Sequence, residues 1–338
     1  MAVESAPPEQ ETGQHGWNPT EGNDAPYVRF PKTHRVVVDD GTTIAYAVLE
    51  PARRRGRRRP TVLFVNGWSC SDVYWADILP ALRAAGHRCL IADTRGHGAS
   101  GLPRAPGRGA RNLRADDLSI PRMAADFLQV LDDAGADEAI VAGHSMGVQI
   151  ALEVYRAGPD RVSGLVLVAG SYENPLRTFY GTPLLEAAFP VGRALMAVAP
   201  ELIRPIWRTI GYKTSGYYGA KLIQAVGPKA TADALHPYLL HLAAADPAVM
   251  VRAVDAMRRH SAADLLRRID VPVLILAADQ DHFTPPRCSR EMFERIPTAE
   301  IRWFADAGHT LPIEEPDEIV ATIEEWSARR IERPAATA

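Results

Sequence analysis

Ala139-Ile140-Val141-Ala142-Gly143-His144-Ser145-Met146-Gly147-Val148 runs from an apolar stretch through a G-x-S-x-G pentapeptide into a helix-like segment that continues to Tyr155. The reading of this stretch decides the fold. A short apolar run before a tight turn is a buried strand, and the residues after it carry helical character. A serine on such a strand-to-helix turn projects its hydroxyl clear of the backbone, where a base and a substrate can both reach it. The flanking glycines allow close chain approach and dihedrals that a Cβ would hinder.

Working outward, strand-like runs recur with helical stretches between them. His34–Val38 and Thr43–Leu49 flank Asp39-Asp40-Gly41 and read as a hairpin. Thr61–Val65, Arg88–Ala92, Ala139–Ala142, Gly164–Val168 and Val273–Leu276 are short continuous apolar runs, as expected of strands buried on both faces. Glu300–Phe304 reads as the last strand. Helices are expected over Trp75–Ala85, Ile120–Ala134, Met146–Ala157, Arg287–Arg295 and Asp317–Arg330. Alternation of this kind after a hairpin predicts an α/β protein: a mostly parallel, eight-stranded sheet with helices on both faces.

The rhythm breaks at residues 171–270. This stretch holds no convincing strand, is rich in Ala, Leu, Met and aromatics, and is cut repeatedly by proline. It reads as short helices inserted between two strands, forming a cap over the sheet's C-terminal edge; the alternative is extra core helices. The core is then expected over 27–170 and 271–332, with a disordered tail at 1–26 and a short one at 333–338. The apolar residues of the insertion, among them Leu184, Leu185, Phe189, Leu195, Met196, Ile206, Trp207 and Tyr218, either pack it on the sheet domain or line a pocket for an apolar group.

Composition narrows the class. The 338 residues are 46% hydrophobic and 23% charged, with a formal net charge of −3. That gives no global reason to expect a nucleic-acid partner. Arg53–Arg55 and Arg57–Arg59 form a dense basic run between two strands, read as a solvated loop, with a nucleic-acid or anionic-lipid patch as the alternative. Cys70, Cys89 and Cys288 are far apart and form no C-x-x-C pair, so isolated thiols are expected. No secretory h-region and no membrane-length apolar run appears, which makes the cytoplasm the default location. Neither a metal motif nor a G-x-G-x-x-G or P-loop is present, so no metal and no cofactor are expected. His236, His241 and His260 are spaced irregularly for a metal cluster.

A serine hydroxyl needs a base, and the base needs an orienting group. Two aspartates, Asp279 and Asp281, follow the strand through Leu276, and His309 follows the last strand. The order Ser145, Asp281, His309 is that of the nucleophile-elbow fold. Asp93-Thr94-Arg95-Gly96-His97-Gly98-Ala99-Ser100 matches D-x-R-G-x-G-x-S. Asp281–Pro285 matches D-x-x-x-P, and Gly308-His309 with Glu314 and Pro316 matches G-H-x-x-x-x-E-x-P. On these four segments the chain resembles the α/β-hydrolase superfamily in its capped esterase and lipase-like branch, over roughly residues 33–330.

The resemblance implies Ser145 as nucleophile, His309 as base and Asp281, rather than Asp279, as orienting acid. It implies an oxyanion hole of the Trp68 and Met146 N–H groups. Asn66-Gly67 stands where the family usually has His-Gly; backbone donors survive that change, and an amide can both donate and accept. His144, inside the elbow, is expected to make a structural hydrogen bond. The expected activity is hydrolysis of a small-molecule carboxylic ester with an apolar side. Carbon–carbon bond hydrolysis, acyl transfer and cofactor-free perhydrolysis are alternatives on the same fold, as is a ligand receptor that does not turn over. Oligomeric state and acyl length are not legible.

Overall fold

Eight strands form one sheet: β1 His34–Val37, β2 Thr43–Leu49, β3 Thr61–Val65, β4 Cys89–Ala92, β5 Ala139–His144, β6 Val162–Val168, β7 Val273–Ala278 and β8 Ala299–Phe304. Their spatial order is β1-β2-β4-β3-β5-β6-β7-β8. The computed structural model describes residues 25, 27–52, 59–103, 113–211 and 213–332. Most of the expected N-terminal tail, the arginine run up to Arg58 and the C-terminal tail lie outside the described residues.

The first two strands pair antiparallel, β2 pairs antiparallel with β4, and every later pairing is parallel. Helices α1 (Ile78–Ala85), α2 (Ile120–Asp133) and α3 (Met146–Ala157) connect the first half. Successive side chains point to opposite faces of a strand. Leu63 and Val65, Val141, Leu165 and Leu167, and Val273 and Ile275 accordingly pack with α2 and α3. Val62 and Phe64, Ile140 and Ala142, Val166 and Val168, and Leu274 and Leu276 pack with α1 on the other face. Both faces are covered, which is why these strands are continuous apolar runs and not alternating ones.

Between β6 and β7 the described residues hold only helical elements: α4 Leu184–Val198, α5 Pro200–Arg208, α6 Lys213–Leu222, α7 Ala232–Ala244 and α8 Pro247–Arg259, with 3-10 turns. Then follow α9 (Pro286–Arg295), the short α10 (Leu311–Glu314) and α11 (Pro316–Arg330).

The order β4-β3-β5 positions the site. The chain leaves β3 toward one side to form β4, then returns across to form β5 on the other side. Such a switch opens a crevice at the carboxyl ends of the strands. The loop after β3 and the turn after β5 both end there.

Candidate active site

Ser145 occupies the turn between β5 and α3 with φ 56° and ψ −116°, a conformation that few non-glycine residues adopt. Its N–H donates to Val168 O of the neighbouring strand (3.0 Å), which holds the turn in place. The glycines on either side answer to close approach. A Cβ on Gly143 would lie 2.1 Å from Gly147 O, and one on Gly147 would lie 2.3 Å from Val65 O and 3.1 Å from Asn66 O. The pentapeptide therefore packs against the end of β3 with no room for a methyl group. The strained serine persists because its surroundings over-determine it.

The structure brings the three expected side chains together. His309, in the loop after β8, has Nε2 3.0 Å from Ser145 Oγ and Nδ1 2.9 Å from Asp281 Oδ2. Asp281 is buried, and its carboxylate is fully engaged. Oδ1 accepts from Phe283 N (2.8 Å) and Thr284 N (2.9 Å), and Oδ2 also accepts from Thr284 Oγ1 (2.8 Å). Asp279 is exposed and lies outside this network. With Nδ1–H donated to the carboxylate, Nε2 is left to accept the serine proton.

His144 does make a structural bond. Its Nε2 pairs with His309 O at 2.9 Å, beneath the turn, and its ring stacks on Tyr74 with centroids 4.7 Å apart. Burial holds its pKa down to about 3, so it is neutral and supports the base without competing for the proton. Glu314 has a similar supporting place: it accepts from Gly308 N (3.1 Å) and Thr310 Oγ1 (2.7 Å), clasping the loop that carries His309.

Gly67, the residue before Trp68, lies against the serine turn: a Cβ on it would be 3.0 Å from Ser145 Cβ. Met146 opens α3, where an N–H has no acceptor one turn back in the helix. Trp68 follows Gly67 in the loop beside Gly147. Asn66 Oδ1 accepts from Trp75 Nε1 (3.0 Å), while its Nδ2 is buried without a partner among the described residues. The amide thus braces the loop from below through its acceptor side.

The loop is also held from above, by contacts that no sequence pattern revealed. Trp68 Nε1 donates to Met250 O of α8 (2.9 Å). Ser69, with φ 56°, places its O 2.9 Å from His241 Nδ1 and its Oγ 3.1 Å from Tyr238 Oη, both on α7. His97, buried and pushed down to about 4, faces Ser69 N at 3.4 Å. These contacts span 28 to 182 residues of sequence, so no local signal could reveal them.

The D-x-R-G segment is a brace and carries no reacting group. Arg95 is fully buried and grips Asp126 with two bonds of 2.6 Å, while its Nη1 reaches Asp40 at 2.8 Å. Asp93 accepts from Ala99 N (2.8 Å), and Ser100 Oγ donates to Asp93 O (2.6 Å). Lys32, buried between Asp72 (2.9 Å) and Asp93 (3.5 Å), ties in the chain before β1.

Next to the base the surroundings are aromatic. Phe283 meets the His309 ring edge-on at 5.0 Å, and Phe179 stacks on Phe283 at 4.0 Å. All three cysteines are buried and free; burial drives the Cys70 thiol up to about 12, so it stays protonated at neutral pH. Among the described residues no group of His, Cys, Asp and Glu is placed to hold a metal, and no helix is long and apolar enough to cross a membrane.

A buried acid, a histidine and a strained serine at the carboxyl ends of a doubly flanked parallel sheet define a class, and sequence comparison places the chain in it. The alpha/beta hydrolase family model matches residues 62–322, and the chain belongs to that family. It is a hydrolase of that fold. It is 27% identical over 270 residues to the "Putative carbamate hydrolase RutD" of Caulobacter sp. (strain K31), covering 78% of this chain and 89% of that protein. Among solved structures, an esterase from Exiguobacterium antarcticum is similar with a TM-score of 0.67 at 20% identity, over 87% of this chain and 98% of that one. The enol-lactonase from Burkholderia xenovorans LB400 is similar with a TM-score of 0.62 at 21% identity, over 87% and 100%. At those identities the structural likeness speaks for the fold.

Proposed function

We propose that the protein is a serine hydrolase that cleaves a carboxylic ester with an apolar side, through an acyl-enzyme on Ser145. The observation that carries this reading is the relay of Ser145 Oγ, His309 and Asp281, with spacings of 3.0 and 2.9 Å, on a serine held at positive φ.

In this mechanism His309 Nε2 removes the serine proton as Oγ attacks the acyl carbonyl. Asp281 keeps the proton on Nδ1 and stabilises the imidazolium that forms. The N–H groups of Trp68 and Met146 receive the oxyanion, each worth about 3 kcal/mol to the transition state. His309 then protonates the leaving alcohol. Water enters, gives its proton to Nε2 and releases the acid. Phe283 and Phe179 supply an apolar wall beside the base, which suits an ester with a hydrocarbon or aryl side and not a charged one. The helices between β6 and β7 form the cap of this site.

Cleavage of a carbamate is the second reading, supported by the name that the 27%-identical relatives carry. The attack and the leaving alcohol are the same; the group left on Ser145 differs, a carbamoyl in place of a carbon acyl. The test is turnover of p-nitrophenyl esters from acetate to palmitate beside a p-nitrophenyl carbamate, with the Ser145→Ala variant in parallel. Ester turnover with a chain-length optimum, reduced about 10⁴-fold or more in Ser145→Ala, is the expected result. Preference for the carbamate would move the second reading forward. Labelling of Ser145 by a fluorophosphonate without any ester turnover would sink the ester reading and turn attention to carbon–carbon hydrolysis or acyl transfer.

A further inference from the structure

One surface is not used by this chemistry. Helix α4 is apolar around most of its circumference; of its residues only Glu186 and Arg193 are charged. Met196 is buried and Phe189 half-buried, on the side that meets α8, where Arg258 lies over the Phe189 ring. Leu184, Val191, Leu195 and Val198 follow one another at steps of seven, four and three, which places them on a single stripe. They are 73%, 73%, 54% and 80% exposed. Across the short connection, Leu202 and Ile206 of α5 are 73% and 69% exposed, one turn apart. By helical spacing, Glu186 and Arg193 fall on the opposite half of α4 from the stripe. A helix that is apolar all round is ordinarily buried all round. This one is buried on one side only. Single exposed leucines need no explanation, but a stripe over two consecutive helices marks an interaction surface.

The charge on the far side of α4 from the stripe, toward α8, selects the partner. Arg193, Arg258 and Arg259 surround the one carboxylate of Asp255, the first at 3.8 Å and the second at 3.0 Å. Three guanidiniums therefore share a single negative charge. Arg208, exposed in the last turn of α5, adds another cation. With Arg204, Lys213 and Lys229 matched by Asp246, Asp233 and Glu315, the four arginines Arg193, Arg208, Arg258 and Arg259 stand against Asp255 and Glu201, an excess of two positive charges. A two-fold contact with a second copy would bring the same net-positive face twice and supply no anion to it. An anionic bilayer offers both an apolar interior for the stripe and phosphates for the arginines.

We propose that the α4–α5 face seats the protein on an anionic lipid bilayer. The stripe enters the boundary between headgroups and acyl chains, and the arginines lie at phosphate level. The turn Phe179–Gly181 immediately before α4 packs on the site: Phe179 stacks on Phe283, and Tyr180 N donates to His282 O at 2.9 Å. The seated face thus adjoins the aromatic wall beside His309. Seating does not depend on the ester reading, because binding is read without turnover.

The test is co-sedimentation of the full chain with vesicles of phosphatidylcholine alone or mixed with phosphatidylglycerol. Binding to the anionic vesicles is expected, with little to the neutral ones. Leu195→Asp combined with Val198→Asp should reduce it about tenfold or more, with circular dichroism and thermal unfolding unchanged. Arg193→Gln and Arg208→Gln should each weaken it about fivefold. No binding, or equal binding to both compositions, overturns the proposal. So does binding that survives the double aspartate variant but is lost when Arg53, Arg54, Arg55, Arg57 and Arg58 become serine, because that places the contact in the arginine run. A wild-type dimer by light scattering, monomeric in the aspartate variant and inert to vesicles, would assign the face to a second copy.

Discussion

The elbow and the inserted helices are built to opposite tolerances. At the elbow a single methyl group on Gly143 or Gly147 would collide with backbone at 2.1 or 2.3 Å, and every residue of β3 and β5 is buried. On α4, residues such as Val191 and Val198 are 73% and 80% exposed, and a Cβ on Gly192 would meet nothing within 4 Å. The first region has one solution because the reacting groups must be held within fractions of an ångström. The second is itself divided: α8 packs Val249, Met250, Ala253 and Met257 into the core of the sheet and α7 holds Ser69 through His241, whereas the outer stripe of α4 and α5 is free to vary with substrate or surface.

The sharpest way to break this contrast is to disturb the sheet half. Arg95→Met leaves Asp126 buried without its two-pronged partner, and loss of one member of a buried pair costs about 3–5 kcal/mol. Chemical denaturation should show a loss of that size. A change below about 1 kcal/mol would mean that the packing is as forgiving there as in the insertion.

Residue for residue, a somewhat smaller effect is expected from acid. His144 and His97 are held by burial at about 3 and about 4, against an ordinary 6.5 in the unfolded chain. As pH falls below 6.5 the unfolded chain takes up protons that the folded chain refuses. Stability therefore drops through the window from about 6.5 to 4 and is untouched by these groups above it. Each imidazole contributes on the order of 3 kcal/mol over the full window. Melting temperatures measured from pH 8 to pH 4 should show this limb, and His97→Gln should make it shallower. A flat profile down to pH 5 would show that the interior admits water or charge.

The smallest effect belongs to the exposed stripe. Val191→Ser and Leu202→Ser should each shift stability by less than about 0.5 kcal/mol, the usual range for surface substitutions. A loss of 2 kcal/mol or more would reveal that these side chains are packed in solution and would collapse the contrast.

Much of the core was legible because its signals are local. Met146–Ala157 is a helix with the bounds expected from the sequence, and the hairpin around Asp39-Asp40-Gly41 forms as read. Some strands run longer than their apolar runs, as β5 continues to His144 and β6 begins at Val162, while β1 and β4 are each one residue shorter than expected. There the ladder of a neighbouring strand, not side-chain character, decides where pairing stops. The choice of Asp281 over Asp279 came from the spacing to Pro285, and in the fold one is buried against His309 and the other exposed. The apolar residues of the insertion were harder. Expected either to pack or to line a pocket, they divide: Met196 is buried, Phe189 and Trp207 half-buried, and Leu184, Leu195, Ile206 and Tyr218 face outward. On α4 the two charged residues, Glu186 and Arg193, lie away from the exposed stripe, so its polar pattern points to the wrong outer face.

The sheet, the elbow and the order of the three candidate residues are legible along the chain, because strand and helix periodicity and turn chemistry are written in neighbouring positions. Packing alone settles which groups steady the loop at Trp68 and Ser69, that Arg95 serves as a brace, and which side of α4 is left to solvent. Those depend on contacts between residues as much as 182 positions apart. Such contacts exist only once the whole chain has packed.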